Sequence, residues 1–266
     1  MVPAAAELAE MDLSAAREVR LRPGQPVTAL LPEGLWRGRH VLTPQEVTQA
    51  ARALSGYGLA ARQRELSAGF LPLPGGHRLG ICGVMGPAGL LEITSLCVRM
   101  AHEIPGAGDD VFPAIAGRHT LIVGPPGSGK TTLLRGLVRL YGEAGYPVGV
   151  VDERGEIAAC RDGVPQLNVG PCADVVTGLP KDKAVPLLIR TMGPQVIAAD
   201  ELGGPEDARA TQDAMRSGVI LLATVHGTDE NDVKKRPGMG SLFQPGAVER
   251  LVVLSRVGEP PTIMEA

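Results

Sequence analysis

The chain has few aromatic residues and no excess of positive charge, and both shortages exclude classes of function. Phe, Trp and Tyr make up 3% of its 266 residues, so few side chains could stack on nucleic-acid bases. The formal net charge is −3, whereas a protein that coats nucleic acid needs a basic surface. The composition therefore argues against nucleic acid as the main partner.

Paired cysteines and long apolar runs are also missing. The four cysteines include no pair separated by two residues, so a zinc module is not expected and the thiols are predicted to be reduced. No stretch approaches the roughly 20 apolar residues that a membrane span needs. The first residues lack the basic flank and apolar core of a signal peptide. We therefore expect a cytoplasmic protein whose membrane role, if any, runs through a partner.

Residues 124–132 have the pattern of a phosphate-binding loop: two glycines separated by four residues, then Lys and Thr. An apolar run precedes the loop and a helix-like run follows it, which is the context that the motif requires. We expect Lys130 to reach the β- and γ-phosphates of ATP and Thr131 to ligate Mg²⁺. A glycine-proline turn with a chance lysine is the alternative. The predicted nucleotide-binding residues are Gly124, Pro125, Pro126, Gly127, Ser128, Gly129, Lys130, Thr131 and Thr132.

A second apolar run, 196–199, ends in two acids, as in a Walker B strand. Asp200 is predicted to hold Mg²⁺ through water, and Glu201 to polarise the water that attacks the γ-phosphate. An acidic pair after an apolar run is common by itself. The phosphate-binding loop upstream makes the Walker B interpretation the better one.

Two further strand ends carry polar side chains. Asp152 and Glu156 follow the apolar run 148–151 and could orient water or the metal shell, although a solvated loop would look the same. His226 follows the run 221–225 and could hydrogen-bond a γ-phosphate, although a lone histidine is often structural.

Two arginines are weaker candidates. Arg190 lies in the predicted helix before the Walker B strand and could pair with a phosphate or with an acid across an interface. Arg99 lies near a predicted domain junction, where an arginine could reach the nucleotide. The alternative for both is an ordinary surface arginine.

The chain reads as two domains joined by a linker at about 101–110. Residues 1–108 predict a small α+β domain with a largely antiparallel sheet and two helices, one capped by Thr43 and one at 60–67. In residues 109–266 apolar strands alternate with helices, which predicts an α/β domain with a parallel sheet. Ligand chemistry is then expected at the carboxyl ends of its strands.

The four motifs, in this order, resemble those of the type II/type IV secretion ATPase superfamily: Walker A loop, Asp box, Walker B strand and His box. Several segments are similar, more narrowly, to the sporulation members of that superfamily, over roughly residues 15 to 256. The segments that carry the narrower resemblance are 75–80, 151–157, 163–166, 188–194 and 223–227.

The resemblance implies a RecA-like P-loop NTPase domain after a small N-terminal domain, a homo-hexamer, and ATP and Mg²⁺ as ligands. It implies the motor of a secretion-like channel used in endospore formation, docked on an integral membrane protein at the inner membrane. Only His102 follows Arg99 where relatives carry further basic residues, so a second junction arginine is not supported. The residues to which a catalytic role is assigned are Glu201, Asp152, Glu156, His226, Arg190 and Arg99.

Two other interpretations stay open. A nucleotide-dependent switch with little turnover would carry the same motifs. A nucleic-acid-binding P-loop ATPase is a further alternative, disfavoured by the negative net charge and the scarcity of aromatic residues.

Overall fold

The computed structural model describes residues 8, 13–56, 70–86, 89–244 and 246–266, which divide into two compact units. One unit contains the described chain up to His102 together with Arg161–Gln166. The other contains Glu103–Cys160 and Leu167–Ala266. The predicted domain boundary at residue 108 stays a prediction.

The first unit is built on an antiparallel sheet with the strand order β3-β2-β1-β6-β5-β4. One face of this sheet packs against helix α1, Pro44–Leu54, which begins at the capping box between Thr43 and Glu46. The predicted α+β class and the predicted first helix are confirmed, and the predicted helix at 60–67 lies outside the described residues. The strands are β1 Glu18–Leu21, β2 Pro26–Leu31, β3 Gly34–Val41, β4 Leu71–Pro72, β5 Arg78–Gly86 and β6 Gly89–Arg99.

The second unit is an α/β domain whose sheet has the order β13-β12-β7-β11-β10-β8-β9. All neighbouring strands are parallel except β12 and β13, which confirms the predicted parallel sheet. The strands are β7 Thr120–Gly124, β8 Val148–Asp152, β9 Ala173–Thr177, β10 Val196–Ala199, β11 Ile220–His226, β12 Arg250–Val253 and β13 Thr262–Glu265. The helices are α2 Phe112–Ile115, α3 Lys130–Glu143, α4 Lys181–Met192, α5 Pro205–Arg216 and α6 Glu230–Lys234.

The central strands of this sheet are buried on both faces. Every residue of β7, β8 and β10 is buried, as expected for parallel strands covered by helices. In β7, Leu121 packs into one hydrophobic cluster with residues of α4 and α5, and Ile122 packs into another with residues of α3. The helices therefore cover the two faces of one sheet, and the strand ends stay available for chemistry.

The strand order brings the predicted motifs to one edge of the sheet. Strand β11 lies between β7, which leads into the phosphate-binding loop, and β10, which ends before Asp200. His226 stands opposite Gly124 in the register of β11 and β7. The carboxyl ends of three strands that are separate in the sequence thus meet at one place.

The described helices are each too short or too polar to cross a lipid bilayer.

Gly136 in helix α3 packs directly against the backbone of the chain that precedes α2. A Cβ atom placed on Gly136 would lie 1.8 Å from the carbonyl oxygen of Ala107. We expect Gly136→Ala to lower the free energy of unfolding by about 1–3 kcal/mol, because the backbone has to move to accept the methyl group. Chemical denaturation measures this change.

Gly142→Ala, in the same helix, is the matched control. A Cβ atom placed on Gly142 would lie 3.3 Å from its nearest neighbour, the backbone nitrogen of Cys172, so a small shift of that neighbour makes room for it. The stability of this variant should stay close to that of the wild type. Equal stability of the two variants would contradict the close packing at Gly136.

Candidate active site

The phosphate-binding loop connects β7 to α3 through two glycines in a left-handed conformation. Gly127 has φ +75° and Gly129, the N-cap of α3, has φ +96°, a region that disfavours side chains. The first amides of a helix have no carbonyl in a preceding turn to which they could donate. The loop therefore presents backbone N–H groups and the positive end of the α3 dipole, which together suit an anion.

Lys130 is 5% exposed and all three of its ammonium donors have partners. Its Nζ lies 2.9 Å from the carbonyl oxygen of Gly124, 2.8 Å from that of Pro125, and 3.2 Å from Nδ1 of His226. Burial lowers the pKa of Lys130, and the charges of Asp200 and Glu201 partly offset that effect.

Asp200 joins the phosphate-binding loop to the neighbouring strand. Its Oδ2 accepts a hydrogen bond of 2.7 Å from Oγ1 of Thr131, the second residue of α3. Its Oδ1 accepts from the hydroxyl of Thr224 in β11 and, at 3.1 Å, from the backbone N–H of Glu201. A hydroxyl oxygen and a carboxylate oxygen that lie next to each other are the kind of metal ligand that Mg²⁺ prefers.

Glu201 holds a backbone conformation that is unusual for a residue with a side chain. Its φ is +51°, which typically costs about 1–3 kcal/mol and is maintained by surrounding contacts. The backbone N–H donates to Oγ1 of Thr224 at 2.8 Å. The carboxylate then has both oxygens engaged, Oε1 by His226 at 2.9 Å and Oε2 by Arg154.

The contacts of His226 assign its tautomer. Lys130 can only donate, so Nδ1 of His226 accepts, and the ring proton lies on Nε2, which donates to Glu201. His226 is the last residue of β11 rather than a residue beyond it. It directly connects the lysine of the phosphate-binding loop to the acid of the Walker B strand.

Asp152 is buried and organises the loop that follows β8. Its Oδ1 accepts from the backbone N–H groups of residues 156 and 157 at 2.6 and 2.9 Å, and its Oδ2 from those of 158 and 159 at 2.9 and 3.3 Å. Both oxygens therefore bind the protein backbone. A role for Asp152 at the water or the metal stays a prediction.

Sequence reasoning missed Arg154 and Thr224 as site residues. Arg154 is the one cation within the acid-rich segment 152–156, and Thr224 lies two residues before the histidine that the same reasoning selected. These sequence positions are the features from which a role of Arg154 and Thr224 in the site could have been predicted. Their contacts with Glu201 and Asp200 depend on which strands are neighbours in the sheet, and the sequence does not state that order.

The remaining residues with a predicted catalytic role are Glu156, Arg190 and Arg99. The backbone carbonyl of Glu156 accepts from Arg135 of α3 at 2.7 Å. Arg190 is exposed in the last turn of α4. Arg99 ends β6 in the first unit and is exposed there. Their catalytic roles stay predictions.

The residues present fit a nucleotide and its magnesium ion. Among the residues that the structure describes, Ser128 Oγ is the buried side-chain polar atom without a hydrogen-bond partner, and it lies in the phosphate-binding loop. An orphaned hydroxyl there is consistent with a loop that a ligand completes. Within the described ranges, no group of three or more His, Cys, Asp or Glu side chains could hold a metal. Mg²⁺ in nucleotide sites usually needs only one or two protein oxygens besides the phosphates.

Comparison of the sequence with protein families gives a match over almost the whole chain. A family model described as "Sporulation stage III, protein AA" matches residues 5–265. "Stage III sporulation protein AA" of Bacillus subtilis (strain 168) is 35% identical over 283 residues, covering 100% of this chain and 91% of that protein. "Protein SEEDLING PLASTID DEVELOPMENT 1" of Arabidopsis thaliana is 29% identical over 168 residues, covering 61% of this chain and 24% of that protein.

Solved structures share the fold at low sequence identity. The Legionella pneumophila ATPase DotB has a TM-score of 0.63 at 16% identity, covering 94% of this chain and 76% of that chain. The pilus retraction motor PilT with bound ADP has a TM-score of 0.66 at 15% identity, covering 97% and 80%. These similarities confirm the predicted fold class, a RecA-like α/β domain preceded by a small α+β domain.

The carboxylate of Asp152 can be tested as the organiser of its loop. Asp152→Asn replaces one acceptor oxygen by an NH₂ group, which cannot accept from the backbone amides it faces. We expect the free energy of unfolding to fall by about 1.5–3 kcal/mol, the contribution of a hydrogen bond to a charged group. Amide hydrogen exchange should accelerate in residues 153–159. Asp213→Asn is the control, since that side chain is 62% exposed on α5. Unchanged exchange in 153–159 would contradict the assignment.

Proposed function

This chain is a member of the Sporulation stage III, protein AA family, and we propose that it is a Mg²⁺-dependent ATPase that powers a secretion-like channel during endospore formation. One observation supports the proposal above all. At one edge of a parallel sheet, hydrogen bonds connect Lys130 through His226 to Glu201, and Thr131 to Asp200. These are the side chains that the proposal needs to bind phosphate and Mg²⁺ and to act as the base. PilT, which has the same fold, was solved with bound ADP.

Binding of the triphosphate would use the loop and Lys130. The backbone amides at the start of α3 would donate to phosphate oxygens. Lys130 would exchange its present acceptors, the carbonyl oxygens of Gly124 and Pro125 and the imidazole of His226, for oxygens of the β- and γ-phosphates. All of these acceptors are neutral, so an anionic phosphate is the stronger partner for the ammonium group.

Hydrolysis would use Glu201 as the base. Water attacks the γ-phosphorus, the bond from that phosphorus to the β–γ bridging oxygen breaks, and ADP leaves with the bonding pair. The proton of the water passes to the Glu201 carboxylate. The Nε2–H of His226 holds one carboxylate oxygen, so His226 orients the base.

Thr131 and Asp200 would hold Mg²⁺, with Thr131 as a direct ligand and Asp200 acting through water. When bound, the ion neutralises charge that develops on the phosphates. Asp200 is oriented for this by the hydroxyl of Thr224 and the backbone N–H of Glu201.

We further propose that the protein acts as a cytoplasmic homo-hexamer that docks on an integral membrane protein at the inner membrane. This part rests on family membership and on the fold shared with DotB and PilT. Arg190 and Arg99 are exposed and are the candidates for contacts across subunits. The cycle of nucleotide binding and release would then be transmitted around the ring.

Glu201→Gln separates binding from hydrolysis. The amide keeps the shape of the side chain and can still accept from His226, but it cannot take a proton from water. We expect kcat to fall by about 10²- to 10⁴-fold, the usual contribution of a general base, with little change in the Kd for ATP. Phosphate release and equilibrium binding of a fluorescent ATP analogue measure the two quantities.

Glu206→Gln is the matched control, because Glu206 is exposed in the first turn of α5 and only a few residues away. Its turnover should equal that of the wild type. Undiminished turnover of Glu201→Gln would reject Glu201 as the base, and absence of ATP hydrolysis by the wild type would reject the ATPase itself.

A further inference from the structure

The hydrolysis steps described above do not use the ion pair between Arg154 and Glu201. Nη1 of Arg154 contacts Oε2 of Glu201, with side-chain exposures of 65% and 24%. We propose that Arg154 is a positioning residue that restrains the Glu201 carboxylate, and that this ion pair opens before Glu201 accepts the proton of the attacking water. The proposal rests on the proposed function, in which Glu201 is the base.

The backbone that carries Arg154 is fixed independently of Glu201. Asp152 accepts from the backbone amides of residues 156–159. Arg135 of α3 donates to the carbonyl oxygens of residues 156 and 157, at 2.7 and 2.6 Å. Lys181, at the start of α4, pairs with Glu153 at 2.7 Å. The loop is thus tied to its own strand, to α3 and to α4, and these contacts hold the backbone from which the Arg154 side chain extends.

The guanidinium itself is mostly in water. An ion pair in which one partner stays largely solvated contributes little stability, and here the guanidinium is that partner. It can therefore open without disturbing the loop beneath it. A well-anchored loop that carries an exposed guanidinium suits an ion pair that forms and breaks in each catalytic cycle.

The chemistry gives the direction of the effect. Arg154 and His226 each donate to one oxygen of the Glu201 carboxylate, and the bond from the charged guanidinium is the stronger one. While this bond holds Oε2, the carboxylate is not free to turn toward the attacking water. An interaction that stabilises the ground state more than the transition state slows the reaction. Arg154 therefore acts against proton transfer, whereas His226, on the other oxygen, orients the same carboxylate from within the site.

Arg154→Gln in the full-length protein tests this proposal. Glutamine keeps a hydrogen-bond donor but loses the charge, so the restraint weakens while the loop is preserved. We expect kcat for ATP to rise by about two- to fivefold, the range set by an exposed ion pair, with KM and the Kd for ATP unchanged. Thermal unfolding should show the same midpoint as the wild type, since the side chain is exposed.

Two outcomes would overturn the proposal. A lower kcat with unchanged KM would mean that Arg154 holds Glu201 in its productive position. A higher KM together with weaker ATP binding would mean that Arg154 contacts the nucleotide.

Arg216→Gln is the matched control, because Arg216 is also an exposed arginine, 72% accessible, and is paired with a carboxylate, that of Asp213. Its kinetics should not change. Introducing Arg154→Gln into Glu201→Gln should have no further effect, since the restrained base is already gone. An effect of equal size in both backgrounds would show that Arg154 does not act through Glu201.

Failure of the proposed function is distinguishable from failure of this inference. If the wild type does not hydrolyse ATP, or if Glu201→Gln hydrolyses it normally, Glu201 is not the base and both proposals fall. If Glu201→Gln is inactive and Arg154→Gln turns over no faster than the wild type, only the restraint is rejected.

Discussion

The hydrogen bonds to the Asp200 carboxylate hold the other side chains of the candidate site in place. One oxygen accepts from Thr131 at the start of α3 and the other from Thr224 in β11, so a single side chain ties the phosphate-binding loop to the centre of the sheet. Hydrogen bonds to a charged group contribute about 1.5–3 kcal/mol each. The backbone N–H of Glu201 joins the same carboxylate. The predicted metal-binding hydroxyl of Thr131 and the candidate base Glu201 are therefore positioned by one carboxylate.

This junction makes the site a connected chain of contacts. Glu201 is kept in its left-handed conformation by Thr224, its carboxylate meets His226, and His226 accepts from Lys130. If Lys130 exchanges His226 for a phosphate, as proposed, the imidazole would lose the donor that fixes its tautomer. The carboxylate of Glu201 is then the next group affected. In the proposed function, nucleotide binding would thereby be coupled to the base through a continuous series of contacts.

The sequence was sufficient for the phosphate-binding loop, the Walker B acids and most strands of the second unit, because buried parallel strands are continuous apolar runs. Prediction from the sequence failed for elements that lack a clear pattern of apolar residues. Strands β3, β9 and β13 and helices α2 and α6 were not predicted. Strand β3 contains two glycines and polar side chains, β9 is only partly buried, and β13 is mostly exposed. Helices α2 and α6 are only four and five residues long. The pairing of Arg154 with Glu201 requires β8 to lie beside β10, which is a property of the sheet order. The same limit applies to Asp152, whose residue type suits a metal shell but whose oxygens bind backbone amides.

The most direct test of a nucleotide-driven ring motor is the particle mass of the Glu201→Gln protein, measured by light scattering with saturating ATP and Mg²⁺. That variant should retain ATP without hydrolysing it, so any assembly that nucleotide favours would persist during the measurement. We expect particles of about six protomers with ATP and Mg²⁺, closed by one repeated interface, and single protomers after both are removed. A single-protomer mass under both conditions would contradict the ring motor.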